Sequence, residues 1–248
     1  VELVDKTLST NECQTHTKDD KTIKGASAAH RMPNFFTAEC LRRYLVSRQY
    51  NEKKAYEMLM HTVLWRDQHV PREYQSGVFG GCLSSRFMEW CGYDRSGRPN
   101  LFLRSANADL SVPREVRVSY MIVTLEKGIS LMQPPFSPTS KSSTVGGAPV
   151  RVEQWNIIVD ETGRSSKHTD NKFLSHVTPM LTSHYAQRLH KCYVLNPGWL
   201  TQLVYSVVKI FLDEGTTSKI QMIYGKHDKT DRSKYIVPEL LNDLGAEN

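Results

Sequence analysis

Apolar positions along the chain switch between a helical period and short continuous runs, and the two alternate. Residues 1–32 are polar and lack periodicity, and read as a loosely held leader. Pro33-Asn34 then opens a helix, FFTAECLRRYLVSRQ, with Ala38, Leu41, Tyr44 and Leu45 on one face. Asn51 is a candidate N-cap for a second, NEKKAYEMLMHTVLWRDQH, whose Ala55, Met58, Leu59, Thr62 and Trp65 follow helical spacing. This helix pair, 33–74, has too little core to stand alone, so it must pack on something else.

The segment 75–248 supplies the rest. Asp94-Arg95-Ser96-Gly97-Arg98-Pro99 is a turn cluster before a short strand, NLFLR. Ser111-Val112-Pro113-Arg114-Glu115 opens a helix to about Met132, carrying Val118, Met121, Ile122, Leu125, Ile129 and Met132 at the 3.6 period. Residues 133–150 hold Pro, Ser and Gly without periodicity and read as a flexible insertion. Strand WNIIV to Asp160, a helix to about Ser183, strand CYVL, an apolar helix and strand IQMIY follow. Continuously apolar strands alternating with helices indicate an α/β fold with a mostly parallel sheet covered by helices.

The helix WLTQLVYSVVKIFL stands out. Leu200, Leu203, Val204, Val207 and Phe211 form one apolar face, while Tyr205, Val208 and Leu212 supply a second. Such a helix is either deeply buried or covers something greasy on its far side. Periodicity leaves both readings open.

Composition adds little to this. With 39% apolar residues over 248 positions a full core is available, and no apolar run reaches the roughly 20 residues that cross a bilayer. The first residues are too polar for a signal-peptide core, so a soluble protein is expected, and its unpaired cysteine set reads as reduced thiols in the cytoplasm. Five scattered cysteines (Cys13, Cys40, Cys82, Cys91, Cys192) form no C-x-x-C pair and signal neither metal nor disulfide framework. His168, His176 and His184 recur at eight-residue steps, and read as surface and helix-flank residues. The net charge of +6 suits an anionic surface, but no basic stripe interleaved with aromatics points to nucleic acid.

Enzyme signatures are missing too: no G-x-S-x-G elbow, Walker A loop or G-x-G-x-x-G after a strand. Gly77-Val78-Phe79-Gly80-Gly81 reads as a connecting turn. Asp160-Glu161 ends a strand where α/β enzymes place catalytic groups, but a lone carboxylate needs a partner, so Asp160 is read as capping the next connection. No catalytic or metal-binding residue is assigned.

Several segments, in order, resemble the CRAL-TRIO family and its phosphatidylinositol-transferring branch. LRRYLVSRQYNEKKAYEMLMHTVLWRD is similar to the family's N-terminal helices, GYDRSGRP to its G-x-D-x-x-G-R-P turn, and IIVDETG to a strand ending in Asp-x-x-Gly. HYAQRLHKCYVLNPGWLTQLVYSVVKIFLDEGTTSKI resembles Y-P-E-R-x-x-K-x-x-x-x-N-x-P, the long apolar helix and F-L-D-x-x-T-x-x-K-I, and VPELLNDLGA the terminal stretch. The resemblance implies a small N-terminal helical unit beside a mixed, mostly parallel sheet whose helices enclose a lipid pocket. It makes the apolar helix a mobile gate, with Trp199, Leu203, Val204, Val207, Val208, Phe211 and Leu212 as gate residues.

Carried over one by one, the family's headgroup positions fall on Arg48, Asp94, Pro99, Thr216 and Lys219, with Gln187 where the family has glutamate. Cations and hydroxyls suit a phosphodiester and an inositol ring. The branch that binds phosphatidylcholine has hydroxyl residues in the central strand, where this chain has Trp155 and Ile157. The expectation is a non-enzymatic carrier of phosphatidylinositol, transiently at membranes, with lipid kinases as candidate partners and no cofactor beyond the bound phospholipid. The alternative is the same fold carrying another hydrophobe: a sterol, retinoid, tocopherol or haem.

Overall fold

The computed structural model describes residues 28, 32, 35–71, 76–132, 144–145, 148–149, 152–210, 212 and 214–224. The expected leader falls almost wholly outside these residues, as do Pro33-Asn34, most of the 133–150 insertion, Phe211 and the C-terminal VPELLNDLGA. Two compact units divide the chain: one is residues up to Arg72 with Met180–Gln187, the other Glu73–Pro179 with the residues from Arg188 onward.

In the helical unit, α1 (Ala38–Ser47) starts later than the sequence pattern predicts, because Thr37 Oγ1 accepts the Cys40 amide at 3.1 Å and caps it there. Ala38 is exposed in that first turn, while Cys40, Leu41, Arg43 and Tyr44 form the buried face. A left-handed pair, Gln49 (φ 52°) and Tyr50 (φ 60°), reverses the chain. Asn51 then caps α2 (Glu52–His69) as expected, accepting from Lys54 N at 2.9 Å. Cys40, Leu41 and Tyr44 pack with Ala55, Met58 and Leu59 of α2. The support this pair needs comes from residues 180–187: Ala186 joins the cluster, Tyr44 Oη donates to the His184 carbonyl (3.3 Å) and Thr62 to that of Ser183 (3.2 Å). His184 sits at a helix end, as its reading as a surface or helix-flank residue has it, but it is buried, which corrects the surface part of that reading.

The sheet unit begins with a 3-10 turn, Ser76–Phe79, running into α3 (Gly80–Ser85), so the glycine-rich segment is helical rather than a simple turn. Strand β1 (Met88–Tyr93) escapes the sequence reading and pairs antiparallel with β2 (Pro99–Arg104). Helix α4 (Arg114–Leu131) begins directly after Pro113. Within the insertion, β3 (Thr144–Val145) and β4 (Ala148–Pro149) pair in a two-residue ladder, a regular element the composition does not suggest. Then come β5 (Trp155–Asp160), α5 (Asn171–His184), β6 (Leu189–Leu195), α6 (Trp199–Lys209), the short α7 (Glu214–Thr217) and β7 (Ile220–Ile223).

The five-stranded sheet has the order β1-β2-β5-β6-β7, parallel except at the β1 edge. Register places Leu101 beside Ile157, Ile157 beside Cys192 and Cys192 beside Ile220. Since successive residues face opposite sides, this row, together with Leu103, Val159, Val194 and Met222, presents one apolar face. Helix α4 closes onto it: Trp90 Nε1 donates to the Thr124 carbonyl (2.7 Å), and Tyr120 Oη to that of Met88 (3.4 Å).

Candidate functional site

The apolar sheet face does not pack directly on all of its helices. Between them lies a cavity of about 250 Å³. Leu103, Val159, Cys192, Val194, Ile220 and Met222 form its floor, and Tyr120 of α4 and Phe173 and Leu174 of α5 line it from other sides. Helix α6 contributes Thr201, Val204, Tyr205 and Val208, the i, i+3, i+4, i+7 positions of one helical stripe. Val204 therefore shares the inner face with Tyr205 and Val208. Leu203 does not, and at 55% exposure it points to solvent with Trp199 (77%) and Ile210 (79%). The helix also stops short of the expected Leu212: the chain turns at Lys209, whose carbonyl accepts from the Leu212 amide at 3.1 Å.

One end of the cavity is polar. Glu161 directly follows β5, and its amide donates to the Leu195 carbonyl (3.0 Å), extending the ladder by one residue. It has the parity of Ile157 and Val159, so its carboxylate lies on the apolar side, and the residue is buried. Oε1 accepts from Ser105 Oγ (2.6 Å) and Arg164 Nη1 (2.9 Å); Oε2 accepts from Arg164 Nη1 (2.8 Å) and Thr201 Oγ1 (2.7 Å). A buried charge needs such partners. Nearby, Asp170 Oδ2 accepts from Arg117 (2.7 Å) and Arg114 (3.2 Å), and Oδ1 caps α5 through Phe173 N (3.0 Å). Burial pulls the Asp170 carboxyl up, but these bonds outweigh it and hold the group down at about 2. Burial alone pushes the Cys192 thiol on the floor up to about 12, so it stays neutral there. Asp160 accepts from Thr162 N (3.0 Å), the capping role its sequence context predicts.

The expected headgroup residues lie elsewhere, and none of the six lines the cavity. Arg48, exposed at the end of α1, and Gln187, left-handed at φ 56°, belong to the helical unit. In the sheet unit, Asp94 is buried and holds its own turn: Oδ1 accepts from Ser96 N (2.9 Å) and Arg98 N (2.8 Å), Oδ2 from Arg98 Nη1 (3.1 Å) and Asn156 Nδ2 (3.0 Å). Pro99 is fully buried at the start of β2. Lys219 Nζ donates to the Leu189 carbonyl (2.9 Å), and its amide to that of Thr216 (3.1 Å).

Asp94 and Lys219 nonetheless share a neighbourhood around His190 of β6. Burial, then the positive fields of Arg98, Lys191 and Lys219, opposed by Asp94, lower the basicity of that imidazole. Arg98, His190 and Lys191 are not singled out by the sequence, because their company is set by the strand order β2-β5-β6-β7. Ser105, Arg164 and Thr201 were missed too. The parity of Glu161 with its strand was the one signal that could have found the polar end.

Among the described residues no group of three or more His, Cys, Asp or Glu could hold a metal ion, and no helix is long and apolar enough to cross a membrane.

Comparison with known proteins places this geometry. The fold is similar to the crystal structure of Sfh5, with a TM-score of 0.58 at 13% identity, covering 89% of this chain and 75% of that one. Protein real-time of Aedes aegypti is 24% identical over 219 residues, 83% of this chain and 31% of the relative. The phosphatidylinositol/phosphatidylcholine transfer protein SFH4 of Arabidopsis thaliana is 23% identical over 207 residues, 79% of this chain and 33% of the relative. The chain thus spans about a third of the length of these curated relatives. A model of the CRAL/TRIO domain matches residues 83–245, the span holding every described strand of the sheet and all of the cavity lining except Cys82, and the chain belongs to the CRAL/TRIO family of lipid-binding and lipid-transfer domains.

Proposed function

We propose that the chain holds a lipid, phosphatidylinositol first among the candidates, in the cavity behind α6 and exchanges it at membrane surfaces without chemical change. The observation that carries this reading is the pair of opposed apolar faces on α6. Val204, Tyr205 and Val208 line the cavity while Trp199, Leu203 and Ile210 stand in water. Core packing asks for one apolar face only. A second is useful to a helix that leaves the cavity and meets a bilayer.

The energetics favour such a cover. Two acyl chains carry about 30 methylenes at roughly 0.8 kcal/mol each, so their exposure costs on the order of 20 kcal/mol. A headgroup hydrogen bond contributes about 1–3 kcal/mol. The cavity holds the cargo, and polar groups select it.

Support for an inositol phospholipid comes from the cations Arg98, Lys191 and Lys219 gathered around His190, with Asp94 and Lys219 at carried-over positions. The alternative, another hydrophobe such as a sterol, retinoid, tocopherol or haem, draws its support from a different observation. The cavity floor is apolar along the central strand, where Val159 lines it and offers no hydroxyl.

Native mass spectrometry of the purified protein separates the two by the mass of what it carries. If phosphatidylinositol is the cargo, Lys219→Ala lowers its transfer between vesicles about tenfold, the worth of one charge-assisted contact. Unchanged transfer removes Lys219 from the site, and labelled lipid recovered as a lysolipid or headgroup product sinks the carrier reading.

A further inference from the structure

The gate reading of α6 leaves open where the helix hinges. We propose that Glu161 is a positioning residue that pins the first turn of α6, making that turn the pivot and the Lys209 end the part that swings. The inference rests on the gating role proposed above and adds the residue that sets its geometry.

The pin is built from rigid parts. Glu161 continues the central strand through its amide bond to Leu195, and its side chain cannot drift because four hydrogen bonds hold both oxygens. Thr201, in the first turn of α6, supplies one of these at 2.7 Å and itself accepts the Gly198 amide at 3.2 Å, so one hydroxyl ties strand, helix and cap together. A carboxylate beside a helix's first turn also meets the positive end of its dipole. Asn196 strengthens the same end: its amide donates to the Ile223 carbonyl (2.9 Å) and its side chain to Thr162 Oγ1 (2.9 Å).

Further along, the character of the contacts changes. Gln202 reaches Tyr224 at 3.1 Å on the exposed side, and Ser206 donates to the Leu203 carbonyl of its own helix. Val204 and Val208 touch the cavity through apolar atoms. Apolar contact is non-directional and can be exchanged for lipid, whereas a charge-assisted bond to a buried carboxylate cannot be given up without leaving it short of a donor. Helix motion is therefore easiest about Gly198–Thr201.

Arg164 is committed to the same pin. Its Nη1 spans both Glu161 oxygens, its Nη2 donates to Thr169 (3.3 Å), and its buried Nε has no hydrogen-bond partner among the described residues.

Hydrogen exchange of the lipid-loaded wild-type chain is the first test. Amides of Gln202 and Leu203 are expected to exchange at least tenfold more slowly than those of Val207 to Lys209. Thr201→Val removes the hydroxyl, and is expected to erase that difference and speed transfer between phosphatidylinositol vesicles about tenfold, the worth of one bond to a charged group; Thr201→Ser restores both. Glu161→Gln leaves the Thr201–Gly198 cap in place and is expected to act in the same direction. An effect of Thr201→Val alone would assign the change to the cap and overturn the pin. Equal exchange at both ends of wild-type α6, with normal transfer, would place the pivot elsewhere while leaving the carrier reading intact. Slow exchange throughout α6 together with no transfer would instead remove the gate itself.

Discussion

A methyl group on Gly128 would fall 2.1 Å from Trp90 Cζ2 and 2.5 Å from its Cη2. The indole cannot retreat, because Nε1 is fixed to the Thr124 carbonyl and its ring packs edge-on against Trp155, centroids 5.9 Å apart. Gly128→Ala is expected to lower stability by about 1–3 kcal/mol, read as a shifted urea midpoint, even though alanine has the better helix propensity. An unchanged midpoint would mean α4 can slide on the sheet. Nothing in the helical pattern around residue 128 announces this constraint, since Trp90 lies on a strand that the sequence reading missed. Glu161 teaches the same lesson. Its strand and its parity were legible, but its partners Ser105 and Thr201 come from segments 56 and 40 residues away, so the ion cluster exists only once the sheet is ordered.

Among the elements, α2 joins the best legible of features to the least. Its start was readable because an N-cap is local, and Asn51 does what asparagine does at that position. What its far end packs on was not readable, for it depends on residues 180–187. The Trp65 ring stacks on His184 at 4.2 Å, with Thr62 Oγ1 3.1 Å from the His184 Nδ1. Burial first, then the charges of His61, His69 and Arg66, hold the His184 imidazole down at about 3, far below its ordinary value near 6.5. The unfolded chain then binds a proton that the folded one refuses. Stability supplied by neutral His184 is complete above about pH 6.5 and falls as the pH drops from there toward 3. At pH 5 the loss is expected to be about 1–2 kcal/mol, visible as faster hydrogen exchange in α1 and α2. His184→Gln removes the titrating group, so its exchange between pH 7 and 5 should lose most of that dependence. An equally steep loss in the variant would assign the effect to other groups. Strand β1 shows the opposite limit of legibility: MEWCGY mixes an acid and a glycine into a short run, and only its antiparallel pairing with β2 makes it a strand.

For the whole molecule, the fold class was legible because apolar runs and helical periods alternate, and the order of family motifs made the cavity expected. The division of labour between the two faces of α6 was not, because a fourteen-residue apolar stretch gives its outer and inner sides the same composition. The cavity decides it: Val208 lines the interior and Leu203 stands 55% exposed on the outside. A carboxylate at each position should therefore damage different steps. Val208→Asp puts a charge among the apolar side chains that would hold an acyl chain, at a cost of several kcal/mol, so the purified protein should carry no lipid and transfer none. Leu203→Asp leaves the lining intact, and the protein should keep its cargo. It loses an apolar side chain worth about 1.5–3 kcal/mol on burial in a bilayer, so transfer should fall about tenfold or more. Native mass spectrometry reads the first property and vesicle-to-vesicle transfer the second. If both variants lose cargo alike, the helix is core on both sides. If Leu203→Asp transfers at the wild-type rate, the outer face of α6 is not what meets the membrane.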